Sequence, residues 1–180
     1  FCGMTGTAWT SRREFAKVYK KRVVRIPTHR PIQRKVHPVR VFANEHDKFE
    51  AISESANDKL EAGRAVLIGT RSIERSERLA QHLTKRGLAF EILNANHLER
   101  EGEIVANAGQ GPRITIATNM AGRGTDIKLS DDVKQVGGLH VILTELHESE
   151  RIDWQLIGRG SRQGDPGSYQ IFVALTDEIL

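Results

Sequence analysis

A chain of 180 residues suits one domain of ordinary size, and 38% hydrophobic with 28% charged residues describes a globular protein, neither disordered nor membrane-spanning. No apolar run approaches the roughly 20 residues that span a bilayer, so a transmembrane helix is not expected. The single cysteine, Cys2, excludes an internal disulfide and a cysteine-based zinc site, and fits a reducing compartment.

The net charge of +4 conceals an asymmetry. From Arg12 to Arg40 there are 11 Lys/Arg and one acid, Glu14, whereas residues 41–180 carry 16 Lys/Arg against 22 acids. A stretch that basic suits nucleic acid, anionic lipid or an acidic neighbouring domain, or else a solvated connector.

The N-terminal passage holds one expected helix at 11–20, a short expected strand "VVRI" at 23–26, and the Pro-punctuated run "PTHRPIQRKVHP". With Phe1 in place of an initiator Met, residues 1–38 read as a connector arriving from a preceding domain, and 39–180 as the domain itself. "VRVFA" (39–43) predicts a strand, and Asn44 caps a helix with Phe49, Ile52, Ala56 and Leu60 on one face until Gly63 stops it. "AVLIGT" (65–70) is a continuous apolar run, as in a strand buried on both sides. A helix from Ser72 to Arg86 follows, with Ile73, Leu79, Ala80 and Leu83 inward and Gly87 just past its end. "AFEIL" (89–93), "RITIAT" (113–118), "LHVILT" (139–144) and "YQIFVAL" (169–175) are further strands, with helices at 99–109 and around 149–156. Such alternation argues for an α/β fold: a parallel sheet with helices on both faces. Ligands of such sheets bind beyond the carboxyl ends of the strands, which points to the segments after "TIAT" and "VILT".

Three constellations stand out. In "ATNMAGRGTDI" (117–127) Gly122 and Gly124 admit close backbone approach, Arg123 brings charge, Thr125 a hydroxyl, and Asp126 can accept from a ribose hydroxyl. The plainer reading is a turn with a structural Arg–Asp pair. In "QLIGRGSRQGD" (155–165) Arg159 and Arg162 present two guanidinium groups suited to phosphate oxygens, with Gln155 able to orient water or bridge to a γ-phosphate. The plainer reading pairs Arg162 with Asp165 in solvent. "GMTGTA" (3–8) suits a hinge loop. Asp177–Glu178, His140 and His147 read as a strand-end turn and as packing or hydrogen-bonding residues, not as metal ligands.

No G-x-x-x-x-G-K-[ST] loop is present, and no Gly-Lys pair occurs anywhere. Candidate arginine fingers without a triphosphate cradle suggest a two-lobed motor, in which one lobe holds nucleotide and Mg²⁺ and the other closes over it. "GMTGTA", "IPTHRPIQRK", "GTRSIERSE", "LNANHLEREGEIVANAG", "TIATNMAGRGTDI", "GGLHVI", "HESERID" and "QLIGRGSRQGDPGS" closely resemble the second nucleotide-binding domain of the SecA family of bacterial preprotein translocase ATPases.

The resemblance implies a RecA-like domain, a second motor lobe of P-loop NTPase fold without its own phosphate loop. It closes on ATP and Mg²⁺ held by a first nucleotide-binding domain. By the same resemblance Asp126, Arg123, Gly124 and Thr125 line the nucleotide, while Arg159, Arg162 and Gln155 act at the γ-phosphate. The implied partners are the membrane Sec channel and preprotein substrates, with anionic lipid as a further surface and nucleic acid disfavoured. The implied location is the cytoplasm, peripherally associated with the inner membrane. Ile157, Ser161 and Leu146 depart from the family's Arg, Gly and Arg, and "KLSDDVKQV" is shorter than the family's usual insertion. A superfamily 2 RNA/DNA helicase lobe and a non-catalytic relative are the competing readings.

Overall fold

The structure, a computed structural model, describes residues 2–93, 101–118 and 125–178. Its elements in chain order are α1 (Arg12–Val18), β1 (Gln33–Val36), β2 (Arg40–Phe42), α2 (Glu45–Glu61), β3 (Ala65–Thr70), α3 (Ile73–Lys85) and β4 (Phe90–Leu93). There follow α4 (Glu101–Asn107), β5 (Arg113–Thr118), α5 (Asp131–Gln135), β6 (Leu139–Leu143), α6 (Glu150–Ile157) and β7 (Pro166–Ala174).

All seven strands pair in parallel, in the order β1-β7-β6-β3-β5-β4, with β2 also on β7. The two-residue period of a strand divides the core between the sheet's faces. Ala65, Leu67, Leu139, Val141 and Leu143 pack under α4, α5 and α6, along with Ile104, Val133, Leu156 and Ile157. Val66, Ile68, Ile114, Ile116 and Ile142 pack under α2 and α3, where Phe49, Ile52, Leu79 and Leu83 meet them. The two buried faces explain why β3 and β6 read as unbroken apolar runs. Side-chain oxygens cap α2 and α3: Asn44 accepts from the Asp47 N–H and Ser72 from the Arg75 N–H. Gly69 brings α6 close, since a Cβ there would lie 1.9 Å from Leu156 Cδ2.

The N-terminal passage differs from its expected form. "VVRI" makes no strand; Val24 and Ile26 are 77% and 78% exposed. The pairing edge goes instead to Gln33–Val36 and Arg40–Phe42, because β7 begins at Pro166 and is nine residues long, enough to pair with both. Thus the sheet takes in four residues that a boundary at 38 leaves in the connector. Pro38 lies between the two short strands, and its carbonyl accepts from Gln170 Nε2. "KLSDDVKQV" forms α5, which buries Val133. Among the described residues no helix is long and apolar enough to cross a membrane.

Candidate functional site

Two glycines flank Arg159 at the end of α6, and the chain then turns sharply into β7. Within the turn Ser161 (φ 57°), Gln163 (φ 52°) and Gly164 (φ 86°) all have positive φ. Two non-glycine residues in that region store strain, which persists only where the surroundings enforce it. Here they do: a Cβ on Gly160 would sit 3.3 Å from Val141 Cγ2, and one on Gly167 would sit 2.4 Å from Ser161 Oγ. The turn is therefore seated against the first residues of β6 and β7.

The winding aims Arg162 outward. Its Nε donates to the Gly158 carbonyl at 2.9 Å and its Nη1 to Asp126 Oδ1 at 2.8 Å. The Arg162–Asp165 pair of the plainer reading gives way to this one, and Lys134 takes Asp165 at 3.3 Å. Both side chains of the Arg162–Asp126 pair are about two-fifths exposed, at 40% and 42%. Exposed ion pairs of this kind contribute only about 0–1 kcal/mol.

The position of the pair corrects one expectation. α6 returns antiparallel to β6, so its C-terminal turn arrives at the amino ends of the strands rather than the carboxyl ends. The segment bearing Asp126 comes back the same way: the Lys128 carbonyl accepts from Gln110 Nε2, just ahead of β5. The helix expected around 149–156, α6, carries the chain from "VILT" back across the sheet before the arginines are reached.

The connector grips this turn. Arg34 Nη2 donates to the Gly160 carbonyl at 3.0 Å, Gln33 Nε2 to the Gly164 carbonyl at 2.7 Å, and Arg30 Nη1 to the Gln163 carbonyl at 3.4 Å. Burial lowers the Arg34 pKa from its usual value, and Arg34 also lies over the Trp154 ring at 5.9 Å. Between connector and turn lies a groove of about 410 Å³, with Thr28, Arg30 and Ile32 on one wall and Ser161, Gln163 and Gly164 on the other. Part of the basic stretch thus serves the fold instead of solvent.

The remaining candidates are distributed as follows. Gln155 and Arg159 are partly buried on and just after α6, and Thr125 is partly buried beside Asp126; all three make contacts. Arg123 and Gly124 lie outside the described residues. "GMTGTA" is exposed apart from Thr7 and Ala8, with the Thr7 N–H donating to Thr5 Oγ1.

The carboxyl ends of the strands carry a charge network that the sequence reading missed. Lys48, fully buried on α2, meets Asp177 at 2.5 Å, and Asp177 Oδ2 accepts from the Ala174 N–H. Arg75 reaches Asp177 at 3.4 Å and Glu145 at 3.5 Å, while Arg71 reaches Glu178 at 3.6 Å. Burial raises the Glu145 pKa, against the pull of Arg75. The signal was present: β6 and β7 both run into a hydroxyl–acid pair, Thr144-Glu145 and Thr176-Asp177. Asp177–Glu178 is the strand-end turn expected of it, and its carboxylates are occupied by Lys48 and Arg71.

The two histidines also behave as expected. His140 Nδ1 lies 2.7 Å from Ser168 Oγ, which itself accepts from Arg64, and His147 Nδ1 lies 2.5 Å from Asp153 Oδ1.

Comparison with known proteins bears on the arrangement as a whole. Residues 31–135 and 129–180 match the family model described as SecA P-loop domain. The chain belongs to the SecA family. It is 57% identical over 178 residues to protein translocase subunit SecA 2 of Rhodopirellula baltica, covering 99% of this chain and 27% of that protein. It is 54% identical to SecA of Caldicellulosiruptor saccharolyticus and 55% to SecA of Thermotoga neapolitana, each over 99% of this chain but 21% and 20% of theirs. The chain therefore spans about a quarter or less of the SecA relatives it matches.

Solved structures share the fold. Escherichia coli DEAD-box protein SrmB, bound to regulator of ribonuclease activity A, superposes with a TM-score of 0.63 at 22% identity, covering 78% of both chains. Saccharomyces cerevisiae dbp5 gives 0.59 at 20% identity, over 95% of this chain and 42% of that one. The SecA chain thus has the RecA-like α/β fold. Ser161, for which the resemblance expects glycine, adopts φ 57°, a conformation that favours glycine.

Proposed function

We propose that this chain is the second motor lobe of a SecA-type ATPase that drives preproteins across a membrane. ATP and Mg²⁺ are held by a first nucleotide-binding domain outside this sequence, and the present lobe closes over them. The observation that carries the reading is the meeting of Asp126 and Arg162, 36 residues apart, at 2.8 Å on an accessible surface. Each comes from a motif that the family resemblance assigns to nucleotide.

The chemistry follows from charge. Arg162, oriented through Gly158 and loosely held by Asp126, exchanges that carboxylate for a γ-phosphate oxygen when the lobes close. Arg159 supplies the second cation. Together they offset the charge that builds on the transferring phosphoryl group, an effect typically worth about 10³–10⁵ in rate. Asp126, once released, accepts from a ribose hydroxyl beside Thr125, Arg123 and Gly124, and Gln155 orients the attacking water. On this reading the Mg²⁺ site belongs to the first domain, as the family resemblance implies. A membrane channel and unfolded preproteins are the partners on this reading. The exposed basic residues between Arg12 and Arg25 suit anionic lipid.

With no phosphate loop, the chain alone neither grips nor hydrolyses ATP; calorimetry that detected micromolar ATP binding to it would count against the reading. In the full-length protein Arg162→Ala lowers ATP turnover by about 10³-fold or more while ADP binding survives. Unchanged turnover would remove Arg162 from the chemistry, and loss of both properties would make it a structural residue.

A further inference from the structure

Helices α2 and α3 run side by side on the face of the sheet opposite α6, joined by charges. Glu45 meets Arg75 and Arg78, while Glu50 and Glu54 meet Arg86. One rung of this ladder is different in kind. His46 and Glu50, one helical turn apart on α2, face His82 of α3, and a ligand atom from each of the three lies within 4.8 Å of the other two. His82 Nδ1 stands 3.5 Å from Glu50 Oε1, and the two imidazole centroids are 5.3 Å apart.

We propose that His46, Glu50 and His82 form a site for a first-row divalent transition metal ion, zinc foremost, which clamps α2 to α3. Two imidazoles and one carboxylate suit zinc and its neighbours, whereas calcium and magnesium take oxygen ligands. Ligand atoms around one tetrahedral zinc stand roughly 3.3 Å apart, given zinc–ligand bonds near 2.05 Å. The present separations lie within 4.8 Å, and His46 is exposed, with room for its side chain to turn toward the other two.

The surroundings are those of a supported ligand set. Phe49, buried in the core, packs edge-on against the His82 ring at 5.3 Å and restricts its orientation. Arg86 donates to Glu50 Oε2, which leaves Oε1 on the imidazole side. Partners of this sort fix ligand orientation at metal sites, and losing one typically weakens binding by about 10–100-fold. Water completes the coordination. The role is structural, pinning the two helices that cover one face of the sheet, and it does not depend on the nucleotide chemistry proposed above.

Zinc titrated into the chain in a calorimeter tests this, with cobalt(II) absorption reporting the coordination. The expected result is one ion per chain, a higher unfolding temperature in zinc, and at least about ten-fold weaker binding after His46→Ala or after His82→Ala. His46 is exposed, so His46→Ala keeps the fold intact and isolates ligand loss from unfolding. Cys2→Ser is expected to leave binding unchanged. No binding at 100-fold excess zinc, binding that survives His46→Ala, or binding lost with Cys2→Ser would each overturn the site.

Discussion

His140 shows what one buried side chain does to the pH dependence of the whole. It is fully buried in β6, and burial, reinforced by Arg64 and Lys59, lowers its pKa to about 3. An unfolded histidine titrates near 6.5, so between those values the unfolded chain binds a proton that the folded chain refuses. The stabilisation is therefore fully present above about pH 6.5 and drains away as pH falls toward 3, at up to about 1.4 kcal/mol per unit. Denaturant unfolding at pH 7, 5.5 and 4 should show a steeper loss for the native chain than for His140→Gln. Parallel losses would mean that His140 is not the titrating group. The sequence marked His140 as a packing residue correctly, but the depth of its burial depends on Arg64 and Ser168, which are distant in the chain.

At the scale of elements, the turn between α6 and β7 carries the functional argument, and its strain is measurable. Ser161 adopts φ 57° and ψ 42°, and its Oγ is buried without a hydrogen-bond partner. A non-glycine residue there costs roughly 1–2 kcal/mol, and glycine's extra unfolded-state entropy returns roughly 0.5–1 kcal/mol of that. Ser161→Gly should thus stabilise the chain by about 1 kcal/mol, read as a higher denaturant midpoint at unchanged slope. A lower midpoint would mean that the hydroxyl has a partner or that the strain is absent. Helix and strand positions were largely legible from local signals: Asn44 as a cap, Ser72 as a helix start, Gly63 and Gly87 as stops, and apolar runs for β3, β5 and β6. The first edge strand was not, because Gln33–Val36 lacks an apolar pattern and is held by main-chain pairing with β7. Nor was the seat of the arginine turn, which depends on the direction of α6.

The whole molecule is a parallel sheet with different work at its two ends. At the carboxyl ends, Lys48, Arg75, Asp177 and Glu145 close the sheet with an ionic network. At the amino ends of β6 and β7, the arginine turn is held on either side of Arg162 by Arg34 and Gln33 of β1, through the Gly160 and Gly164 carbonyls. The RecA-like fold and the family could be read from motifs spread along the chain, whereas the joining of Asp126 to Arg162 required the fold. The proposal at this scale is that Arg162 acts on a phosphoryl group held by another domain. Its most direct test is the affinity of the full-length protein for ADP with aluminium fluoride, a mimic of the transferring phosphoryl group, compared with ADP alone. Arg162→Ala should weaken the first by about 10³-fold and leave the second unchanged. Equal affinities for the mimic in native and Arg162→Ala proteins would contradict the claim.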